Sequence, residues 1–375
     1  MFFKNAKIYC RDFTFRQGAF QVTEDGYFGA VLPENVPEDA IDLQGAKVIP
    51  GLVDVHIHGA AGSDFADGDD GGNMAMARYL ASQGVTAFAP ASVTLPYEKL
   101  EKAFAAGRRL ADAAPQGCAR LVGIHMEGPY FSYKKKGAQN GSYLKEPDFA
   151  GFEALQKGCG NLVSIVDIAP ELPGAMEFIQ EAKALARVSV AHTDASYESA
   201  VQAFAAGATH LTHLFNAMPG IHHRNPGVIP AAAENKAVKA ELICDGIHVH
   251  PATVRLAFSL FGAERIVLVS DALRCCGMPE GEYELGGQIA TLRDGVARLS
   301  DGTIAGSATD LFTCMERAIA FGIKEEDAIR AATFNPACAV GAEEQVGAIA
   351  PGYRADFVVL PVGGEKQVYL GGKLI

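Results

Sequence analysis

From Gly51 onward the chain repeats one rhythm: a short apolar run, then a longer stretch with apolar residues at helical spacing. The short runs predict eight strands, over residues 52–58, 85–90, 120–126, 162–168, 187–192, 210–214, 239–244 and 265–270. The intervening stretches predict helices over 72–83, 97–113, 174–186, 196–206, 228–235 and 252–261, with a weaker pattern over 144–157. Gly84, Gly207 and Gly262 follow three of these helices, where a chain leaving a helix favours glycine. Strand and helix alternating eight times predict an α/β fold, a parallel (β/α)8 barrel of the TIM type, over residues 51–344. An open doubly wound sheet would need a Gly-rich phosphate loop after its first strand, and His56-Ile57-His58-Gly59 is not one.

After the eighth strand, residues 282–303 carry three turn signals, Gly286-Gly287, Asp294-Gly295 and Asp301-Gly302, and predict a hairpin excursion. Helical patterns resume over 309–321 and 324–333. The two ends read differently, as short β-like runs at 4–11, 26–32, 355–361 and 367–370. Residues 1–50 and 345–375 together therefore predict a small β-sandwich domain assembled from both ends.

Composition narrows the class. With 49 % hydrophobic and 20 % charged residues the chain has the balance of a globular enzyme. A net charge of −12 opposes nucleic acid and anionic membranes as partners. No run approaches the roughly 20 apolar residues of a membrane span, and the N-terminus lacks a secretion-signal pattern. The eight cysteines show no Cys-x-x-Cys spacing, which fits reduced thiols and a cytoplasmic setting. Cys275 and Cys276 follow Asp271 closely and read as buried bystanders.

The chemistry is concentrated at strand ends. His56 and His58 sit two apart in a strand, so both rings share a face and can approach one ion. Glu127, His192, His213 and Asp271 stand at or near the ends of later strands, as do Asp245 and His248. In a TIM barrel those ends form one rim, where reactive groups gather. Imidazole with carboxylate suits zinc or a similar divalent metal. Ordinary readings are kept for other residues: His210 and His250 as core histidines, His222, His223 and Lys134–Lys136 as solvated loop. His125 is open between core and site.

The segments that carry a resemblance are Pro50-Gly51-Leu52-Val53-Asp54-Val55-His56-Ile57-His58-Gly59, His125-Met126-Glu127-Gly128-Pro129, Ala191-His192-Thr193-Asp194-Ala195, His213-Leu214-Phe215-Asn216-Ala217-Met218-Pro219, Asp245-Gly246-Ile247-His248 and Val269-Ser270-Asp271-Ala272. In order and spacing, across nearly the whole chain, they resemble the amidohydrolase superfamily, and within it the N-acetylglucosamine-6-phosphate deacetylase family. The resemblance implies that Glu127, His192 and His213 hold the main metal, and that His56 and His58 bind a second, with Glu127 as a possible bridge. One or two divalent ions per subunit are implied, zinc first, with iron, manganese or cobalt as alternatives. Metal-activated hydroxide would attack the acetamide, and Asp271 would act as general base and then acid.

For the substrate, a small amino-sugar phosphate, the resemblance implies contacts from Arg224 and His248 to the 6-phosphate, with Asn216 and Ala217 beside it. Ile304, Ala305 and Gly306 would border the sugar, and Ala138 and Gln139 would complete the site. Where some relatives carry a histidine this chain has Gln139, which donates a hydrogen bond but carries no proton. A homodimer, in which the Ile221–Gly227 loop serves its own or a neighbouring subunit, is also implied. The alternatives are a base deaminase, a cyclic amidase or a catalytically silent sugar-phosphate binder. Many cyclic amidases bridge two metals through a carbamylated lysine, and the third strand here ends in Glu127.

Overall fold

The computed structural model describes residues 1–375. Eight barrel strands run Leu52–Ile57, Val85–Pro90, Arg120–Leu121 continuing as Ile124–Met126, Val163–Ile168, Arg187–Val190, His210–Leu211, Lys239–Ile243 and Ile266–Val269. Every neighbouring pair is parallel and in chain order. The third strand breaks at Val122-Gly123: its first piece pairs with strand two, its second with strand four. An isolated bridge between Ala91 and His125 spans the break. On the closing side, the Asp271 N–H donates to the His56 carbonyl at 2.9 Å.

The helices lie close to the sequence pattern, with Tyr97–Ala113 matching at both ends. The helix predicted over 144–157 begins only at Phe149 and runs to Gly158, because Asp148 caps it by accepting from Gly151 N–H. The predicted hairpin over 282–303 is larger than expected: four antiparallel strands, Gly281–Leu285, Gln288–Arg293, Val296–Leu299 and Ile304–Ser307. All three glycine-bearing turn signals fall at its reversals. At Asp294-Gly295 both residues have positive φ, 51° and 74°, as a tight two-residue turn requires.

Packing divides the interior. Outward faces of the strands bury against the surrounding helices in the largest apolar cluster. Inside the barrel, Val53, Val55, Ala87, Ile165, Ile243, Val267 and Val269 pack on Ala337 and Ala339 of helix Phe334–Val340, which closes one end. The strand-rich ends form one mainly antiparallel eight-stranded sheet. Its core is aromatic: Phe3 stacks on Phe20 at 4.9 Å, and Phe20 meets Phe357 edge-on at 5.1 Å. No helix is long and apolar enough to cross a membrane.

Candidate active site

Above the apolar floor of the barrel the strand ends turn polar and stay buried. His56, His58, Glu127, His192, His213 and Asp271 are each less than a tenth exposed and converge on one place. Backbone geometry brings them there. Just beyond strands five, six and eight, His192, His213 and Asp271 have φ of 42°, 30° and 48°, in the left-handed region costly for residues with a Cβ. Such conformations persist where surrounding structure imposes them, typically at functional sites.

Three groups of donor atoms emerge, each within 4.8 Å: Glu127, His192 and His213; His56, His58 and Asp271; and His56, His125 and Glu241, a deeper set of which no member lines the cavity. In the first, Glu127 Oε1 lies 3.1 Å from His192 Nε2 and 3.3 Å from His213 Nε2, and the two Nε2 atoms stand 3.0 Å apart. Ligand atoms about 2.0–2.2 Å from a tetrahedral ion would be separated by about 3.3 Å, close to these spacings. Protonation argues the same way. His192 Nδ1 faces the Lys135 carbonyl at 2.9 Å, so Nδ1 carries the proton and, in a neutral ring, Nε2 offers a lone pair to the centre. His56 Nδ1 faces Glu241 Oε2 at 2.8 Å, which leaves His56 Nε2 as a buried atom with no partner. Lone pairs facing a carboxylate oxygen call for a cation between them, and the donor set fits a divalent metal.

Charge is consistent with this. Burial disfavours the His58 cation, but its hydrogen bond to Asp271 and the charges of Glu127, Asp271 and Asp64 prevail and raise it to about 9. Burial and the Glu127 carboxylate oppose each other in the same way at His213, again reaching about 9. Burial would raise Asp271, yet His56, His58 and His213 hold it below the usual carboxylate range, so it is ionised at neutral pH.

A cavity opens over this centre. It is lined by His58, Glu127, His192, His213 and Asp271, and by Ala138, Gln139, Asn216, Ala217, His248, Ile304, Ala305 and Gly306. All these sequence-derived candidates are brought together. Arg224 is not: it sits on an exposed loop and does not line the cavity. His248 is aimed by Asp245, whose Oδ2 lies 2.6 Å from Nδ1, leaving Nε2 available. Gln139 accepts from Thr94 N–H at 2.7 Å and donates from Nε2 to Glu127 Oε2 at 2.5 Å. It therefore steadies the carboxylate beneath the cavity, a role its position in sequence did not suggest.

Other histidines resolve. Both ring nitrogens of His125 face oxygen acceptors, Val55 O at 3.1 Å and Asp167 Oδ1 at 2.9 Å, and it does not line the cavity. Burial opposes its charge, but Asp167 and Glu241 raise it to about 10. His210 is buried against Glu241, whereas His250 is exposed and caps helix Pro251–Phe261. All eight cysteines are free and seven are buried. The residue that sequence reasoning missed is Glu241, in mid-strand and marked only as an acidic residue inside an apolar run.

A parallel barrel with imidazoles and carboxylates gathered at its strand ends defines a hydrolase-type site built for a divalent ion. The amidohydrolase family model matches residues 47–375. An N-acetylgalactosamine-6-phosphate deacetylase of Escherichia coli O157:H7 is 34 % identical over 355 residues, covering 93 % of each chain. An N-acetylglucosamine-6-phosphate deacetylase of Bacillus subtilis is 36 % identical over 327 residues, covering 86 % of this chain and 82 % of that one. Among solved structures, an aspartate-to-alanine mutant of the Mycobacterium smegmatis N-acetyl-D-glucosamine-6-phosphate deacetylase, in complex with N-acetyl-D-glucosamine-6-phosphate, superposes with a TM-score of 0.92. It is 32 % identical over 100 % of this chain and 98 % of that one. The chain belongs to the amidohydrolase family, within the group these deacetylases form.

Proposed function

We propose that this chain hydrolyses the acetamide of N-acetyl-D-glucosamine 6-phosphate to D-glucosamine 6-phosphate and acetate. The observation that carries the reading is the ionised Asp271 facing the same cavity as the Glu127–His192–His213 cluster. Full-length relatives that act on this class of sugar phosphate support it.

In this reading Glu127, His192 and His213 hold the main ion, and His56 and His58, with Asp271 Oδ1 at 3.5 and 3.2 Å from their Nε2 atoms, hold a second. Zinc is the first candidate, before iron, manganese or cobalt. Bound there, a divalent ion supplies Lewis acidity, lowering the pKa of water and drawing electron density from the acetamide carbonyl. Asp271 accepts the proton of the attacking water and returns it to the departing amine nitrogen. Without that return, the nitrogen would leave as a strongly basic anion. Gln139 keeps Glu127 in place and, with Ala138, Ile304, Ala305 and Gly306, walls the sugar. Asn216, Ala217 and His248 lie toward the phosphate, and Arg224 completes its clamp from a second copy in a homodimer. That division of labour accounts for an arginine outside the cavity of its own chain.

The barrel over 51–344 is proposed as the catalytic domain, the sheet from 1–50 and 345–375 as a separate support, and the cytoplasm as the setting. A second reading has one observation behind it: the 34 % identity to the N-acetylgalactosamine-6-phosphate enzyme, which makes the 4-epimer an alternative substrate. A cyclic amidase is disfavoured because no lysine lines the cavity. Acetate release from both 6-phosphates and from unphosphorylated N-acetylglucosamine, with metal supplied, tests the proposal. Turnover on neither phosphorylated sugar would overturn it, and faster turnover of the galactosamine compound would establish the second reading.

A further inference from the structure

Beneath the candidate metal centre lies a carboxylate that no part of the proposed reaction uses. Glu241, on the seventh barrel strand, is fully buried. Burying a carboxylate is costly unless hydrogen bonds compensate it, so its partners show what it is for. Oε2 lies 2.8 Å from His56 Nδ1 and accepts from the His213 backbone N–H at 3.2 Å. Oε1 takes His210 Nε2 at 3.1 Å. The Glu241 carbonyl also accepts from Leu214 N–H at 2.8 Å. One side chain thus grips His56 of the His56–His58–Asp271 cluster by its ring and His213 of the Glu127–His192–His213 cluster by its backbone.

The geometry points to Glu241 as a positioning residue that presents His56 to a divalent ion and fixes the turn carrying His213. The inference rests on the metal reading above. A carboxylate accepts and does not donate, so His56 must carry its proton on Nδ1. The lone pair is then confined to Nε2, which has no partner and stands 3.5 Å from Asp271 Oδ1 and 3.7 Å from Glu127 Oε1. Without Glu241 the ring would be free to take the other tautomer and turn an N–H toward the ion. The backbone bond acts on the other cluster: His213 has φ of 30°, and the Oε2 contact to its N–H holds that residue in an unfavourable conformation. A supporting partner of this kind is worth about tenfold to a hundredfold in metal affinity when lost.

Two variants separate positioning from mere packing. Glu241→Met keeps the length and removes both acceptors; Glu241→Gln retains one oxygen that can face His56 and His213. Metal content and cobalt titration of the folded protein are expected to show binding at the His56–His58 cluster weakened about tenfold to a hundredfold in Glu241→Met and largely restored in Glu241→Gln. Nitrogen NMR of the metal-free native protein supplies a readout that needs no variant, and it decides the matter if Glu241→Met does not fold. The expected state is a His56 ring protonated on Nδ1. Native-like metal affinity in Glu241→Met, or a His56 ring with no proton on Nδ1, would overturn the inference. A native protein that takes up no ion would instead overturn the metal reading, a result visible before any variant is made.

Discussion

His192 Nε2 stands 3.0 Å from His213 Nε2, and the Lys135 carbonyl fixes the His192 proton on the far side of the ring. Two imidazole nitrogens so close, with a carboxylate oxygen 3.1 and 3.3 Å away, form a stable arrangement when a cation or a shared proton lies among them. The first prediction concerns that cation. Added zinc, cobalt or manganese should raise the thermal midpoint, by an amount equivalent to about 4 kcal/mol at a thousandfold excess over Kd. His192→Ala should lose one equivalent of metal and most of that shift, read by metal analysis and calorimetry. An unchanged metal content in His192→Ala would refute the assignment.

Asp271→Asn separates chemistry from binding. The amide keeps the side-chain shape but cannot take a proton, so acetate release should fall about 10²–10⁴-fold. Metal content at the Glu127–His192–His213 cluster should stay near native, because Asp271 is not among its donors. A variant that retains turnover would remove Asp271 from the reaction.

The barrel rhythm and the strand-end chemistry were legible because both are periodic: residues 85–90 were predicted as a strand and form Val85–Pro90. Strand five was predicted through His192 and ends at Val190, because the left-handed turn that aims His192 breaks the ladder. Helix Phe334–Val340 was not predicted, since the Pro336 that interrupts its pattern sits where the first turn tolerates it. Glu241 was missed for a different reason. Its value comes from partners on strands one and six, and no local pattern records them.

Gln139 predicts a coupled loss. Gln139→Leu removes the acceptor for Thr94 N–H and the donor to Glu127 Oε2 together. Stranding these buried groups should cost about 1–3 kcal/mol, read from urea midpoints. Because the Glu127 carboxylate loses its brace, metal affinity should fall as well. A loss of stability with native metal affinity would confine Gln139 to shaping the loop.

Asp54 predicts an inverted pH dependence. Burial is its largest influence, and hydrogen bonds from Ser270 and from the His56 backbone only partly offset it, so its carboxyl rises to about 7. As pH rises from about 4 the unfolded chain releases this proton first, and the folded one holds it until about 7. The unfolded state then binds fewer protons, so this group's stabilisation, complete below pH 4, is lost as pH climbs through 7, by at most about 4 kcal/mol. In metal-free protein, Asp54→Asn should therefore compare more favourably with the native chain at pH 8 than at pH 5. Parallel urea midpoints at both values would refute it.

Arg265 predicts the largest purely structural loss. Its guanidinium is buried without a carboxylate and donates to six carbonyls: Leu260 and Phe261 in the last turn of helix Pro251–Phe261, Ala232 and Ala233 in helix Val228–Glu234, and Asn235 and Val238 beyond it. Helix C-termini leave carbonyls unpaired and carry partial negative charge, and one planar cation here answers two of them. Burial pushes the Arg265 pKa down, though the group starts so far above neutrality that it stays charged. Arg265→Met fills similar space with no donors and should cost about 3–5 kcal/mol, comparable to breaking a buried charge network. Arg265→Lys should recover only part, because a point charge cannot span both helix ends. Metal content per folded molecule should be unchanged in both variants, since Arg265 belongs to none of the three donor groups. Calorimetry with metal analysis on the same samples checks this, and a drop below 1 kcal/mol in Arg265→Met would show that water replaces the guanidinium at those carbonyls.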